Sequence, residues 1–173
     1  ALNSLAAWPA LDGLLFILQS GGVALNEVVV ALLGRPGGKP VLRRFALILM
    51  LALSSAGLLL AGTRLGASWF GGLLHLRQEL VPLARLGLWI SLPVITLTPW
   101  ISWYQGRLLH ARRTRGVTEA TIANLVVMGG VLAAAMAMNW NPGLAAGTAA
   151  MAIGTAVQVG WLSWRCRPLG PDA

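Results

Sequence analysis

A carboxylate lies in the middle of an otherwise apolar run near the start of the chain. The run LQSGGVALNEVVVALLG covers residues 18–34 and carries Asn26 and Glu27 side by side. Counted back from Gly34 at about 1.5 Å per helical residue, Glu27 would lie about 10 Å inside an apolar layer about 30 Å thick. Ionisable side chains at this depth face other helices or water, and they often mark a solute or ion pathway.

Small and polar residues share the helical face of Glu27. Steps of three and four residues place on this stripe Ser20, Ala24, Glu27, Ala31 and Gly34. We expect the stripe to pack against other helices or to line a watery cavity, because lipid would leave the carboxylate without a partner. Two interpretations stay open: Glu27, with Asn26 and Ser20, belongs to a substrate or ion pathway, or it is a protonated or arginine-paired side chain that only holds helices together.

Two amides in later apolar runs are ambiguous in the same way. Asn124 and Gln158 could line the pathway or could hydrogen-bond across a contact between helices, and for Gln158 packing is the favoured role. Gly143 and Gly147 form a GxxxG pair, and Gly154 extends the same face. These glycines predict a close approach between helices.

Two prolines interrupt the run SLPVITLTPW. Pro93 and Pro99 each remove a backbone hydrogen bond and are expected to act as hinges or kinks. Bent or broken helices are typical of transporters, in which irregular backbone lines a substrate path. Kinks are also common in membrane helices without such a role.

Catalytic chemistry is not indicated by the remaining residues. The acidic residues form no pair at helical spacing, and we find neither a phosphate-binding glycine loop nor a nucleophile elbow. His75 and His110 are far apart, and Cys166 is the single cysteine, which excludes an intrachain disulfide. We therefore expect a protein that is not an enzyme, with no catalytic residue, no metal site and no cofactor.

Composition identifies lipid as the solvent of this chain. Of its 173 residues 57% are hydrophobic and 10% are charged, with a mean hydropathy of +0.73, whereas soluble domains carry about 25% charged residues. The net charge of +8 does not indicate nucleic acid as a partner, since aromatic and basic residues do not alternate on a polar surface. The expected partner is a lipid bilayer.

Five apolar runs are long enough to cross a bilayer as helices, which satisfy their own backbone groups. They cover residues 11–33, 45–62, 86–103, 120–138 and 143–164. The predicted fold is an all-α polytopic helix bundle that forms a single transmembrane domain over residues 1–173. The middle of the longest connection, residues 62–82, is expected to form a brief interfacial helix.

Basic residues alternate between the connections and predict the orientation. Ten of the 13 basic residues follow the first, third and fifth runs; they are Arg35, Lys39, Arg43, Arg44, Arg107, Arg112, Arg113, Arg115, Arg165 and Arg167. Because cytoplasmic loops carry the basic excess, we expect the amino terminus outside and the carboxyl terminus in the cytoplasm, in a multi-pass protein of the cell inner membrane.

The basic run RLLHARRTRGVTEA, residues 107–120, is mainly topogenic in this interpretation. A lesser role would be to attract anionic lipid head groups or an anionic solute. Thr118 is expected to cap the helix that follows.

The sequence resembles a transporter superfamily. SWYQGRLLHARRTRGVTEATIANLVVMGGVL, followed by PGLAAGTAAMAIGTAVQVGWL, resembles the multidrug, oligosaccharidyl-lipid and polysaccharide exporter superfamily of MATE-like transporters and flippases. The stretch SGGVALNE and the spacing QG…RRT…VT…A look most like the progressive ankylosis branch, which is associated with export of pyrophosphate and related anions.

This resemblance implies the carboxyl-terminal lobe of a two-lobed secondary exporter or flippase that works by alternating access. Its partners would be the missing amino-terminal lobe or a second copy, a small solute, anion or lipid-linked substrate, and a coupling ion. By position, Glu27 would face the central cavity. The last five spans of that fold begin outside and finish in the cytoplasm, as the loop charges predict. The alternative is a non-transporting membrane scaffold or assembly subunit whose polar faces bind a partner helix.

Overall fold

The computed structural model describes residues 2–167, and the side chains of residues 6–72 and 74–167. This part of the chain contains six α-helices and a π-helical turn, and no strand. The helices are α1 (Leu2–Leu32), α2 (Gly38–Gly62), α3 (Arg64–Ser68), α4 (Val81–His110), α5 (Thr114–Ala137) and α6 (Gly143–Cys166), with the π-helical turn Trp69–Leu73 after α3.

The predicted all-α bundle with five spanning helices is confirmed. Helices α1, α2, α4, α5 and α6 are each long and apolar enough to cross a membrane. The first four begin several residues before the predicted runs, because the residues between each helix start and its predicted run include polar or basic side chains that an apolar window omits. The connection of residues 62–82 contains a brief helix, α3, but it lies at the start of the connection and not in its middle, where the π-helical turn is found. The first turn of α3 is capped by the Thr63 hydroxyl at 3.2 Å from the Leu65 amide nitrogen.

The expectation that Thr118 caps a helix is wrong. Helix α5 begins at Thr114, so Thr118 lies one turn inside it, with its hydroxyl 3.5 Å from the Thr114 carbonyl oxygen. The residue at the N-cap is Arg113, whose side chain makes no capping hydrogen bond. The first turn of α5 reads Thr-Arg-Gly, which has no apolar pattern from which its helical state could be predicted.

Helix α4 is the centre of the bundle. It packs against α1 and α2 on one side and against α6 on the other, and α5 is attached mainly through α6. Small residues such as Gly87 and Ser91 are buried along α4 and let its neighbours approach closely. Helix α5 has the least buried apolar window of the five spanning helices and α2 the next least. Large apolar side chains of α2 and α5 therefore form the outer surface, as lipid-facing helices require.

All three basic segments converge at one end of the bundle. Gly34, after α1, lies next to the His110 ring at the end of α4. Lys39 and Arg107 line a common cavity, and Arg112 and Arg165 line another. This end is called the arginine-rich end below, and its composition agrees with the predicted alternation of charge.

At the opposite end, an arginine stabilises the carboxyl terminus of α2. Arg85, in the second turn of α4, donates from Nη2 and Nε to the carbonyl oxygen of Ala61 at 2.8 and 3.3 Å. A cation at this position compensates the negative end of the helix dipole. Phe70 from the π-helical turn is fully buried in the same region and closes the core between α1 and α4.

Candidate functional site

Helix α1 has one covered face and one open face. Leu25 and Val29 are buried in a core cluster with Leu42 of α2 and Trp103 of α4. Glu27 lies between these two residues in sequence and points away from the cluster, where it is exposed. The apolar side of α1 therefore binds the bundle, and the carboxylate is left on the outer side.

The residues predicted to share the Glu27 stripe all lie on this open face. Each of them is exposed, namely Ser20, Ala24, Glu27, Ala31 and Gly34. The Ser20 hydroxyl donates to the Ile17 carbonyl oxygen at 2.7 Å, so it is satisfied within the helix. At the end of the stripe Gly34, which follows α1, lies next to the His110 ring of α4. Among residues 2–167 no helix covers the rest of the stripe, so the expected packing partner of Glu27 is not supplied by this part of the chain.

Asn26 lies at the border between the open face and α4. Its side chain is half-buried, and its Oδ1 atom is buried without a hydrogen-bond partner among the described residues. Its backbone carbonyl oxygen approaches Gly106 of α4, where an added Cβ would lie 3.4 Å away. The residue before Glu27 therefore holds a buried amide oxygen without a hydrogen-bond partner among the described residues.

Close packing fixes α1 against the proline-containing part of α4. At Gly22 an added Cβ would lie 2.9 Å from Thr98 Cγ2 and 3.4 Å from Pro99 Cδ. Pro99 is buried at this contact, whereas Pro93 is exposed and lines an apolar cavity of about 390 Å³ between α2 and α4. Of the two predicted hinges, Pro99 is the one that touches the helix of Glu27.

The two amides from later helices lie together, away from the α1 face. Asn124 donates from Nδ2 to Gln158 Oε1 at 2.9 Å, and this bond joins α5 to α6. Gln158 is buried, and Gly154 provides the space for the Asn124 side chain. The five residues grouped as a pathway are therefore brought into two places: three on α1 and two between α5 and α6.

The glycines of α6 contribute unequally to packing. At Gly147 an added Cβ would lie 2.9 Å from the Trp8 ring of α1, which is a close contact. Gly154 contacts Asn124, as described above. At Gly143 an added Cβ would meet no atom of the described residues within 4 Å, so the first glycine of the GxxxG pair makes no close contact in this part of the chain.

The most interconnected polar group in the described structure was not predicted. Glu119 of α5 forms an ion pair with Arg165 of α6, whose Nε donates to Glu119 Oε2 at 2.7 Å. The same oxygen accepts from Trp161 Nε1 at 3.3 Å, and the Arg165 guanidinium lies 5.3 Å from the centroid of the Trp164 ring. Glu119 and Arg165 are 46 residues apart, so no local spacing could have indicated the pair.

Residues 2–167 contain no group of three histidine, cysteine or acidic side chains that could hold a metal ion. No protein-family model matches the chain, and no curated protein or solved structure matches it significantly. Proposals about function therefore rest on the contacts described above.

Proposed function

We propose that this membrane protein is one lobe of a secondary exporter for small anions, and that it works by alternating access. The open face of α1 would turn toward the substrate path. The observation that carries the proposal is the position of Glu27, an exposed carboxylate about one and a half turns before the end of a spanning helix whose other side is packed into the bundle.

A carboxylate facing hydrocarbon would be costly. At the centre of a spanning helix an ionisable side chain costs about 3 kcal/mol; Glu27 lies nearer one end of α1, where the cost is smaller, but such residues still normally face a protein partner or water. Among residues 2–167 Glu27 has no ion-pair partner. A second lobe would cover the open face and enclose Glu27 in a watery path between the lobes. That lobe would be either further polypeptide or a second copy of the chain.

The contact between α1 and α4 supports movement at this site. Pro99 leaves the Ile95 carbonyl without its usual helical donor, and it does so where α4 touches Gly22. A change in the bend of α4 would therefore be transmitted to the helix that carries Glu27. Bent helices next to a polar site are a common feature of alternating-access transporters.

Transport assays on the full-length protein test this proposal. Inside-out membrane vesicles would be supplied with radiolabelled pyrophosphate, an anion chosen because the sequence resembles pyrophosphate exporters. We expect Glu27→Gln to lower the initial uptake rate at least tenfold while membrane insertion is unchanged. Glu79→Gln is the matched control, since Glu79 is exposed in the connection before α4 and outside the spanning helices, and it should leave uptake unchanged.

Two results would contradict the proposal in different ways. Equal uptake by wild-type and Glu27→Gln vesicles would remove Glu27 from the mechanism. Fully inserted wild-type protein that takes up no pyrophosphate would reject export of this anion. If Glu27→Gln then also lost a co-purifying partner, the scaffold interpretation would be favoured.

A further inference from the structure

A cavity at the arginine-rich end is distinct from the open face of α1. It lies where the turn between α4 and α5 meets the carboxyl-terminal end of α6, and its volume is about 650 Å³, within the range of about 300–1,000 Å³ usual for small-ligand sites. The arginines that line it are Arg112, Arg113, Arg115, Arg165 and Arg167. Glu119 is the carboxylate among the lining residues, and it is paired with Arg165. The remaining positive charge of the cavity is therefore available to an anion.

Topogenic charge alone does not explain where these arginines lie. Arg112 has φ 56°, in the left-handed region that glycine adopts most easily. Arg113 and Arg115 lie at the N-cap and in the first turn of α5, where the helix dipole disfavours cations. Orientation in the membrane would be served equally by arginines one or two residues away. Three cations at unfavourable positions around one cavity indicate that an anion compensates them there.

The surroundings of the cavity favour an amphiphilic anion over a free one. Trp164 lines the cavity and is exposed, as expected of a side chain at the membrane interface. Next to the cavity, α5 continues with Ile122, Leu125 and Val126, which are 55%, 56% and 67% exposed. A charged recess therefore leads directly onto an apolar outer surface that can hold acyl chains.

We propose that this cavity binds the phosphate head group of an anionic lipid, with the acyl chains of the lipid along α5. Arginine is suited to this role, because its planar guanidinium donates two parallel hydrogen bonds to phosphate oxygens. The Glu119–Arg165 pair forms one wall, and Arg112, Arg113 and Arg115 supply the other donors. A bound lipid would tie the α4–α5 turn to the end of α6.

Native mass spectrometry of the full-length protein in neutral detergent tests the assignment. Dioleoyl phosphatidylglycerol would be titrated against dioleoyl phosphatidylcholine. We expect preferential binding of phosphatidylglycerol, a loss of affinity of about fivefold in Arg112→Gly, and about 25-fold in the double variant with Arg115→Gln, because each basic residue near an anionic surface contributes a factor of about five. Glycine suits the backbone at position 112, so this variant should fold normally.

Asn139→Gly is the matched control. Asn139 has φ 50° in the turn between α5 and α6, so the substitution makes the same backbone change at the opposite end of α5, in a turn without a charged side chain, and should leave lipid binding unchanged. Equal affinity of wild type and the double variant for phosphatidylglycerol would overturn the site, as would equal retention of phosphatidylcholine. Inorganic phosphate at the same concentration should not displace the lipid. If it did, the assignment to a lipid rather than to a free anion would be overturned.

Discussion

The turns at the two ends of α5 have the same backbone conformation, but one carries a cluster of arginines and the other has no charged side chain. After α4, Arg113 N donates to Leu108 O at 2.8 Å and Arg112 N donates to Leu109 O at 2.9 Å. After α5, Trp140 N donates to Ala135 O at 2.9 Å and Asn139 N donates to Met136 O at 3.1 Å. Both patterns are Schellman motifs, which end helices on a residue in the left-handed conformation.

The residue in the left-handed position differs between the two turns. Asn139 is a common choice, since its short amide tolerates this conformation, whereas Arg112 has no such advantage. The Asn139 turn lines a cavity of about 300 Å³ without a charged side chain, and the Arg112 turn lines one with five arginines. The same backbone conformation is therefore adopted by asparagine in one turn and by arginine in the other. The left-handed backbone alone would favour asparagine or glycine at both positions, so the arginine at position 112 requires a reason in the charge of its cavity.

Proline at each turn would have the largest effect. Arg112→Pro and Asn139→Pro each force φ near −65° and delete an amide that donates in the motif. We expect each to lower the free energy of unfolding by about 3 kcal/mol. Cys166 is buried and is the single cysteine, so a thiol-reactive dye reports unfolding on heating in detergent. A normal melting temperature in either variant would show that its turn is dispensable.

A substitution at the contact between Gly154 of α6 and Asn124 of α5 should have the next largest effect on stability. In Gly154→Ala the new Cβ would meet Asn124 Oδ1 and disturb the Asn124–Gln158 hydrogen bond. We expect a loss of about 1–3 kcal/mol, measured with the same dye. Gly160→Ala is the control in the same helix, because its Cβ would meet no atom within 4 Å; it should be neutral or slightly stabilising. Equal effects of the two alanines would indicate that α5 is not held at Gly154.

Substitution of glycine for Arg112 or Asn139 should have the smallest effect on stability, and the size of the effect should differ between the two turns. Arg112→Gly is expected to stabilise the lipid-free protein by about 0.5–1 kcal/mol, because it removes the steric cost of a Cβ in this conformation. Asn139→Gly should change stability less, since asparagine already tolerates the geometry. Melting temperatures in lipid-free detergent would provide the comparison. Destabilisation by Arg112→Gly would mean that the arginine side chain itself holds the turn.

The sequence was sufficient to predict the spanning helices, but it was insufficient to predict which side chains form contacts between them. Apolar runs located all five spanning helices because hydropathy is a local property, and loop arginines indicated which connections share an end. The Glu27 stripe also follows from helical periodicity alone. The bond between Asn124 and Gln158 spans 34 residues, and that between Glu119 and Arg165 spans 46. Such pairs depend on how the helices are arranged, which no single segment encodes.

A similar limit explains the roles missed at Arg85 and Arg112. Arg85 is one of the three basic residues outside the ten of the basic connections, and its bonds to the Ala61 carbonyl require knowledge of where α2 ends relative to α4. The left-handed backbone at Arg112 cannot be expected from an arginine, which rarely adopts it.

The amide pair between α5 and α6 has a consequence for biosynthesis. When α5 leaves the ribosome and meets the translocon alone, Asn124 has no partner, because its partner Gln158 is still to be made. A short connection of five residues, 138–142, then brings α6 alongside. If α5 and α6 enter the membrane as a hairpin, Asn124 and Gln158 are hydrogen-bonded to each other and neither amide is exposed to hydrocarbon. We therefore expect α5 and α6 to leave the translocon together.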